Sequence, residues 1–146
     1  MSVDWHSIRQ NIATKAGSVT GVNFASADDT DSALEEPVVL VTDTGGIQVL
    51  ERGPGYELRR AEVNGVLCVS RAALIGAASE EADDIVERLF VEFRDGIQLG
   101  YTGIVQDSWL ESAQEDDDIT VGGVEYIGYR LVWPVIVREN VSRSAT

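Results

Sequence analysis

Between Ser79 and about Gln98, apolar residues fall at Ala82, Ile85, Val86, Leu89, Phe90, Phe93 and Ile97. Steps of three and four put them on one side of an α-helix, so this segment must lie with that side on a core. Ser79 reads as its N-cap. Glu80, Glu81, Asp83 and Asp84 complement the positive end of the helix dipole, and Gly96 and Gly100 bracket the far end. The sequence on either side has strand-like runs cut by tight-turn residues, so the partner of this helix is a sheet.

A first helix is expected from Asp4 to about Ala16. Asp4 caps it, Trp5, Ile8, Ile12 and Ala16 form its stripe, and Gly17 suits the position after its end. A short strand is expected at Val19–Phe24, then an acidic loop over residues 25–36. Val38 to Thr42 is a nearly continuous apolar run, as in an inner strand. Gly45-Gly46 reads as a turn, and Ile47–Arg52 and Tyr56–Val63 as strands around Gly53-Pro54-Gly55. Asn64-Gly65 reads as a type I′ hairpin turn joining Glu62-Val63 to Val66–Arg71. Beyond the long helix, Thr102–Glu111 is expected as a strand and Ser112–Asp118 as an acidic loop. Gly122-Gly123 marks a second hairpin, whose closing strand runs to about Val137. Pro134 lies in that strand and lacks an N–H, which predicts an edge or a bulge there. Residues 140–146 are a polar tail. The sum is one α+β domain: an antiparallel-rich sheet with two helices packed on it, the longer at about 79–98.

Charge narrows the function classes. The chain of 146 residues has 25 acids against 11 bases, ten of them arginine, for a formal net charge of −14. Gripping a phosphate backbone needs basic patches, so specific nucleic-acid binding is disfavoured. A surface past which DNA slides is compatible with this charge, and so is plain solubility by self-repulsion. No apolar stretch approaches the roughly 20 residues of a membrane-spanning helix. The first residues lack a basic-then-apolar export signal, so a soluble chain made in a reducing cytoplasm is expected.

The residues carry no recognisable catalytic set. The single histidine, His6, lies in the first turn of a terminal helix, a poor place for a rigid base. One cysteine, Cys68, sits in the apolar run Val66–Val69 and reads as a small buried hydrophobe. One Cys and one His cannot fill a usual zinc set. The 25–36 loop lacks the alternating acids, central Gly and terminal Glu of a calcium loop. There is no phosphate-cradling Gly motif. Paired carboxylates remain formally open, but the acids come in runs, which are usually solvated. The expectation is no enzyme, no cofactor and no metal.

The closing strand has large residues at both parities. Ile127, Tyr129, Leu131, Trp133 and Val135 share one face, and Tyr126, Arg130 and Val132 the other. Both faces must be covered, by core packing or by a neighbouring copy. Tyr126, Tyr129, Arg130 and Trp133 are therefore candidates for a subunit interface. Arg59, Arg60, Arg130 and Arg138 are candidates for pairing with acids, across subunits or within the chain.

The pieces Trp5–Ala16, Glu36-Pro37-Val-Val-Leu-Val41, Ala82–Ile97 and Tyr126-Ile-Gly-Tyr-Arg-Leu-Val132, in that order, resemble the tail terminator proteins of long-tailed bacteriophages. The likeness runs from about residue 4 to 137 and rests on layout, length and apolar pattern. It implies a non-enzymatic virion protein at the head-proximal end of the tail, made in the host cytoplasm. Six copies would form a ring that caps the tail tube, ends its polymerisation and joins the head. The implied partners are other copies of the chain, the major tail tube protein and a head-completion (stopper) protein. Genome DNA would pass through the ring without specific binding, and no membrane is involved. Asp28, Asp29, Asp31, Glu115, Asp116, Asp117 and Asp118 are then candidates for lumen or rim acids. The alternatives are another neck or head–tail completion subunit, or a small non-viral protein-binding module.

Overall fold

In a computed structural model, residues 3–27, 37–71, 77–94 and 104–140 are described. Helix α1 spans Trp5–Gly17. Asp4 caps it, accepting from Ser7 N at 3.1 Å and from the Ser7 hydroxyl at 2.8 Å. Ile8, Ile12, Ala13 and Ala16 are its buried side. Gly17 does not end it in a left-handed turn. It is the last helical residue, and Ser18, in right-handed geometry, caps the end by returning its N–H to Lys15 O and Ala16 O. The left-handed residue is Gly21 (φ 103°), where a Cβ would come within 3.0 Å of the Ile85 side chain.

Strand β1 is only Phe24–Ser26, so the Val19–Phe24 expectation begins too early. Val19 is instead a buried loop residue. β1 pairs in parallel with the start of β2 (Val38–Gly53), at Val38, Val39 and Leu40. β2 turns at Pro54-Gly55 into β3 (Tyr56–Arg71), and both strands are 16 residues long. Two expected turns are therefore absent. Gly45-Gly46 lies within β2, between the pairs Thr44–Val63 and Ile47–Ala61, where two glycines oppose one residue in a bulge. Asn64-Gly65 lies within β3. Gly65 is there because a Cβ would stand 2.6 Å from Leu40 O and 2.8 Å from the Trp133 ring. Asn64 uses its side chain to donate to Asp43 Oδ1 at 2.8 Å. Here glycine answers close packing rather than reversal of the chain.

Helix α2 spans Ala77–Glu92, followed by a turn at Phe93-Arg94. It begins before Ser79, which is helical rather than the cap. Alanines at 77 and 78, strong helix formers, carry the helix upstream. Its expected last residues, 95–98, lie outside the described residues. Ala82, Ile85, Val86, Leu89 and Phe93 are buried, and Phe90 is only half-buried.

Strand β4 is Val105–Ser108 and stops short of the expected end at Glu111, while residues 102 and 103 of the expected strand lie outside the described residues. β5 is Ser112–Val121 and β6 is Val124–Asn140. The expected acidic loop at 112–118 is thus a strand, laddered to β6, with Asp117 and Asp118 bulged out between the pairs Asp116–Gly128 and Ile119–Tyr126. Gly122 (φ 57°) and Gly123 (φ 77°) form the expected two-residue turn. The order is β1-β2-β3-β6-β4, with β5 also on β6, and only β1–β2 is parallel. The fold is α+β with an antiparallel-dominated sheet.

β6 is the central strand, not an edge, and Pro134 survives there for a specific reason. Val132 and Arg138 turn their main-chain groups away from β3: Glu111 N donates to Val132 O and Arg138 N to Ile104 O. Pro134 has the same parity. It falls between the end of β5, at the Ser112–Val132 pair, and the end of β4, at the Ser108–Val135 pair. Its missing N–H faces that gap and costs no ladder bond.

Each sheet face carries a buried apolar cluster, as the large residues at both parities of the closing strand led us to expect. The helix-side core holds Val39, Val41, Val63, Leu67, Leu131, Trp133, Val135 and Val137 against both helices. Phe93 and Trp133 meet ring to ring, with centroids 5.4 Å apart. The opposite face holds a smaller cluster: Val38, Leu40, Val66, Cys68, Ile119 and Tyr126.

Candidate subunit interface

The residues proposed as contacts from sequence divide sharply. Trp133 and Tyr126 are fully buried in the chain's own two cores. This corrects their assignment as interface residues: the covering that both faces of β6 required comes from within the chain.

Tyr129 is half-buried on the helix side, and its hydroxyl donates to Asp83 Oδ1 at 2.5 Å, tying β6 to α2. That bond, then desolvation and the charges of Asp83 and Glu115, push its hydroxyl up to about 12 from an ordinary 10.0. The folded chain therefore keeps a proton that the unfolded chain releases. Tyr129 contributes fully below about pH 10, and that contribution should be lost as pH rises through about 12. Urea melts between about pH 9 and 12 should show stability falling more shallowly in Tyr129→Phe than in the parent chain; identical slopes would contradict the coupling.

The arginines pair within the chain. Arg59 binds Glu139 and lies 3.6 Å from Glu57. Arg60 lies 3.4 Å from Glu111, and Arg130 binds Asp116. Asp116 is held below the ordinary carboxylate range, first by the Asp118 N–H at 2.9 Å and then by Arg130. Arg138 stacks its guanidinium 4.5 Å from the Tyr56 ring. Of the candidate lumen or rim acids, Asp28, Asp29 and Asp31 lie outside the described residues. Glu115, Asp117 and Asp118 are exposed on β5.

His6 is exposed in the first turn of α1, and Cys68 is fully buried. Among the described residues no three His, Cys, Asp or Glu side chains are grouped to hold a metal ion. No described helix is long and apolar enough to cross a membrane.

The surface that sequence reasoning missed is the outer margin of β2. β1 covers it only as far as Leu40, and beyond that no described strand lies beside it. α1 reaches it at Thr44, whose hydroxyl accepts from Arg9 Nη1 at 2.7 Å. Past Thr44, Ile47, Val49 and Leu50 are 48%, 41% and 49% exposed. Ile47 and Val49 pair with Ala61 and Arg59 on the helix side, and Leu50 is the extra residue of a bulge. Charged Glu51 and Arg52 follow. Glu51 accepts from the Tyr56 hydroxyl at 2.6 Å, and Arg52 lies 3.4 Å from Glu57. The available signal was apolar residues at both parities beside the Gly53-Pro54-Gly55 turn, at the end of a hairpin where neither helix can follow.

Two hollows bear on contacts. A groove of about 370 Å³ lies between the end of α1 and α2, lined by Ser18, Val19, Thr20, Glu87, Arg88, Val91 and Glu92. A tighter one of about 190 Å³ sits beside Asp83, Glu115 and Tyr129. No protein-family model matches the chain, and no curated protein matches it in sequence.

Proposed function

We propose that this chain is a structural subunit that closes with its own copies into a ring on the end of a phage tail tube, stopping tube growth and offering a surface for head joining. The observation that carries the reading is the open sheet with two unlike margins. One, along β2, exposes Ile47, Val49 and Leu50; the other, along β5, exposes Glu115, Asp117 and Asp118. Unlike surfaces on one subunit are what head-to-tail contacts require, and such contacts make a ring when the rotation closes. Exposed apolar groups concentrated on one strand of a chain with net charge −14 also mark a contact surface rather than a general solubility design. The fold runs helix, one long hairpin, long helix and closing hairpin; this supports the resemblance in its order of helices and strands, with a single hairpin where several were expected.

In this reading the β5 acids line or rim the channel and keep a phosphate backbone from adhering. Deleting the gene in a phage that encodes the chain should yield tails of uncontrolled length. Tails of normal length that fail only to join heads would move the protein to another neck position, and normal infectious particles would remove it from the tail altogether.

A further inference from the structure

We propose that the apolar margin of β2 docks into the α1–α2 groove of the next copy, so that each subunit carries one knob and one socket. The inference rests on the ring reading for its context, but its evidence is local. The knob is Ile47, Val49 and Leu50, about half-exposed, with Glu51 and Arg52 beside them. The socket is the groove whose exposed apolar part is Val91, with the buried Val19 at its floor. Val91 is 57% exposed, the largest exposure among the exposed large apolar side chains of the described residues. Among the described residues, four of the five side chains in that class, Ile47, Val49, Leu50 and Val91, thus fall on these two surfaces.

Charge says why the occupant is a second copy. Two chains of net −14 repel, so they can meet only where each is locally balanced. Both surfaces meet that condition. On the knob Glu51 stands next to Arg52. In the socket Glu87 stands next to Arg88, and Glu92 is answered by Lys15 at 3.5 Å. An approach that sets Arg52 on Glu87 matches one pair; Glu51, on the other face of the strand, stays with the Tyr56 hydroxyl. Arg52 lies 3.4 Å from Glu57 and still leaves 64% of its side chain exposed to a second carboxylate, whereas Arg88 is steadied by donating to Thr20 O at 3.0 Å. The β5 margin is a poorer mate for the knob, because its exposed groups are acids and its bulge at Asp117-Asp118 breaks edge pairing. The contact joins unlike surfaces, so it propagates from copy to copy and is satisfied at both ends only by closure.

Sedimentation velocity on the full chain tests it. The parent chain should self-associate as concentration rises. Leu50→Lys and Val91→Lys, both at exposed positions, should keep the folded circular dichroism spectrum and weaken association about a hundredfold, since each buries an unmatched charge in the contact. An equal mixture of the two variants should form a species of two chains and stop, because only one intact knob and one intact socket remain. Arg52→Glu and Glu87→Arg should each weaken association about tenfold, and the double exchange should restore it. A parent chain that stays monomeric throughout, association indifferent to these variants, or a mixture that grows past two chains would overturn the docking. The ring itself is read on virions, so association that ignores the knob and socket variants would leave the ring reading standing.

Discussion

Trp133→Ala should lower the unfolding free energy by about 3–5 kcal/mol in urea titration, the range for removing a large aromatic from a core. Trp133 is fully buried at the point where β6, β3 and the end of α2 meet, with its ring 5.4 Å from that of Phe93. Gly65 on the neighbouring strand has no side chain, and that space is where the indole lies: an added Cβ would stand 2.8 Å from it. So large a void cannot be filled by relaxation of β3, whose backbone is held between β2 and β6. Trp133→Phe should lose distinctly less. It keeps a ring against Phe93 and removes a buried indole N–H that has no hydrogen-bond partner among the described residues. A loss below about 1 kcal/mol for the alanine variant would mean that Trp133 is not a core residue, and would restore its assignment to a contact between copies.

Gly128→Ala should be as damaging or worse, with a loss of about 3 kcal/mol or more, or failure to fold at all. A Cβ at this position would lie 1.7 Å from Leu67 O and 2.8 Å from Leu67 C. Those are main-chain atoms of β3 inside the longest ladder of the sheet, beside the irregularity between Cys68 and Ser70. They cannot yield unless β3 and β6 separate. Gly46→Ala is the control: nothing lies within 4 Å of its added Cβ, so its stability should stay within about 0.5 kcal/mol of the parent. Equal melting of Gly128→Ala and the parent would contradict the strand pairing itself.

The contrast between those glycines explains what could and could not be read from the sequence. The stripe at Ala82, Ile85, Val86, Leu89 and Phe93 was legible because helical spacing and burial are one fact seen twice. The Gly122-Gly123 hairpin was legible because its positive φ angles are a local demand. Gly45-Gly46 and Asn64-Gly65 present the same local chemistry, yet they sit inside long strands. One accommodates a bulge and the other the Trp133 ring, and both causes lie on other strands. Pro134, expected at an edge or a bulge, lies instead in an inner strand for a related reason: the gap between β4 and β5 that tolerates it is a property of two other elements.

The candidate interface divided in the same way. Aromatic residues at both parities of β6 announced two buried faces, but not whose atoms would bury them; the chain buries Trp133 and Tyr126 itself. Arg59, Arg60 and Arg130 found acids within the fold because β3, β5 and β6 bring Glu57, Glu139, Glu111 and Asp116 beside them. The exposed margin at Ile47, Val49 and Leu50 could not be read from alternation, since exposure there depends on how far α1 and β1 extend along β2.

Electron cryo-microscopy of tails from a phage that encodes this chain addresses the central claim most directly. Our account predicts a closed ring at the head-proximal end into which this six-stranded fold fits copy after copy, with the β2 margin of each seated on its neighbour. A tail end whose density accommodates no repeat of this fold would contradict it.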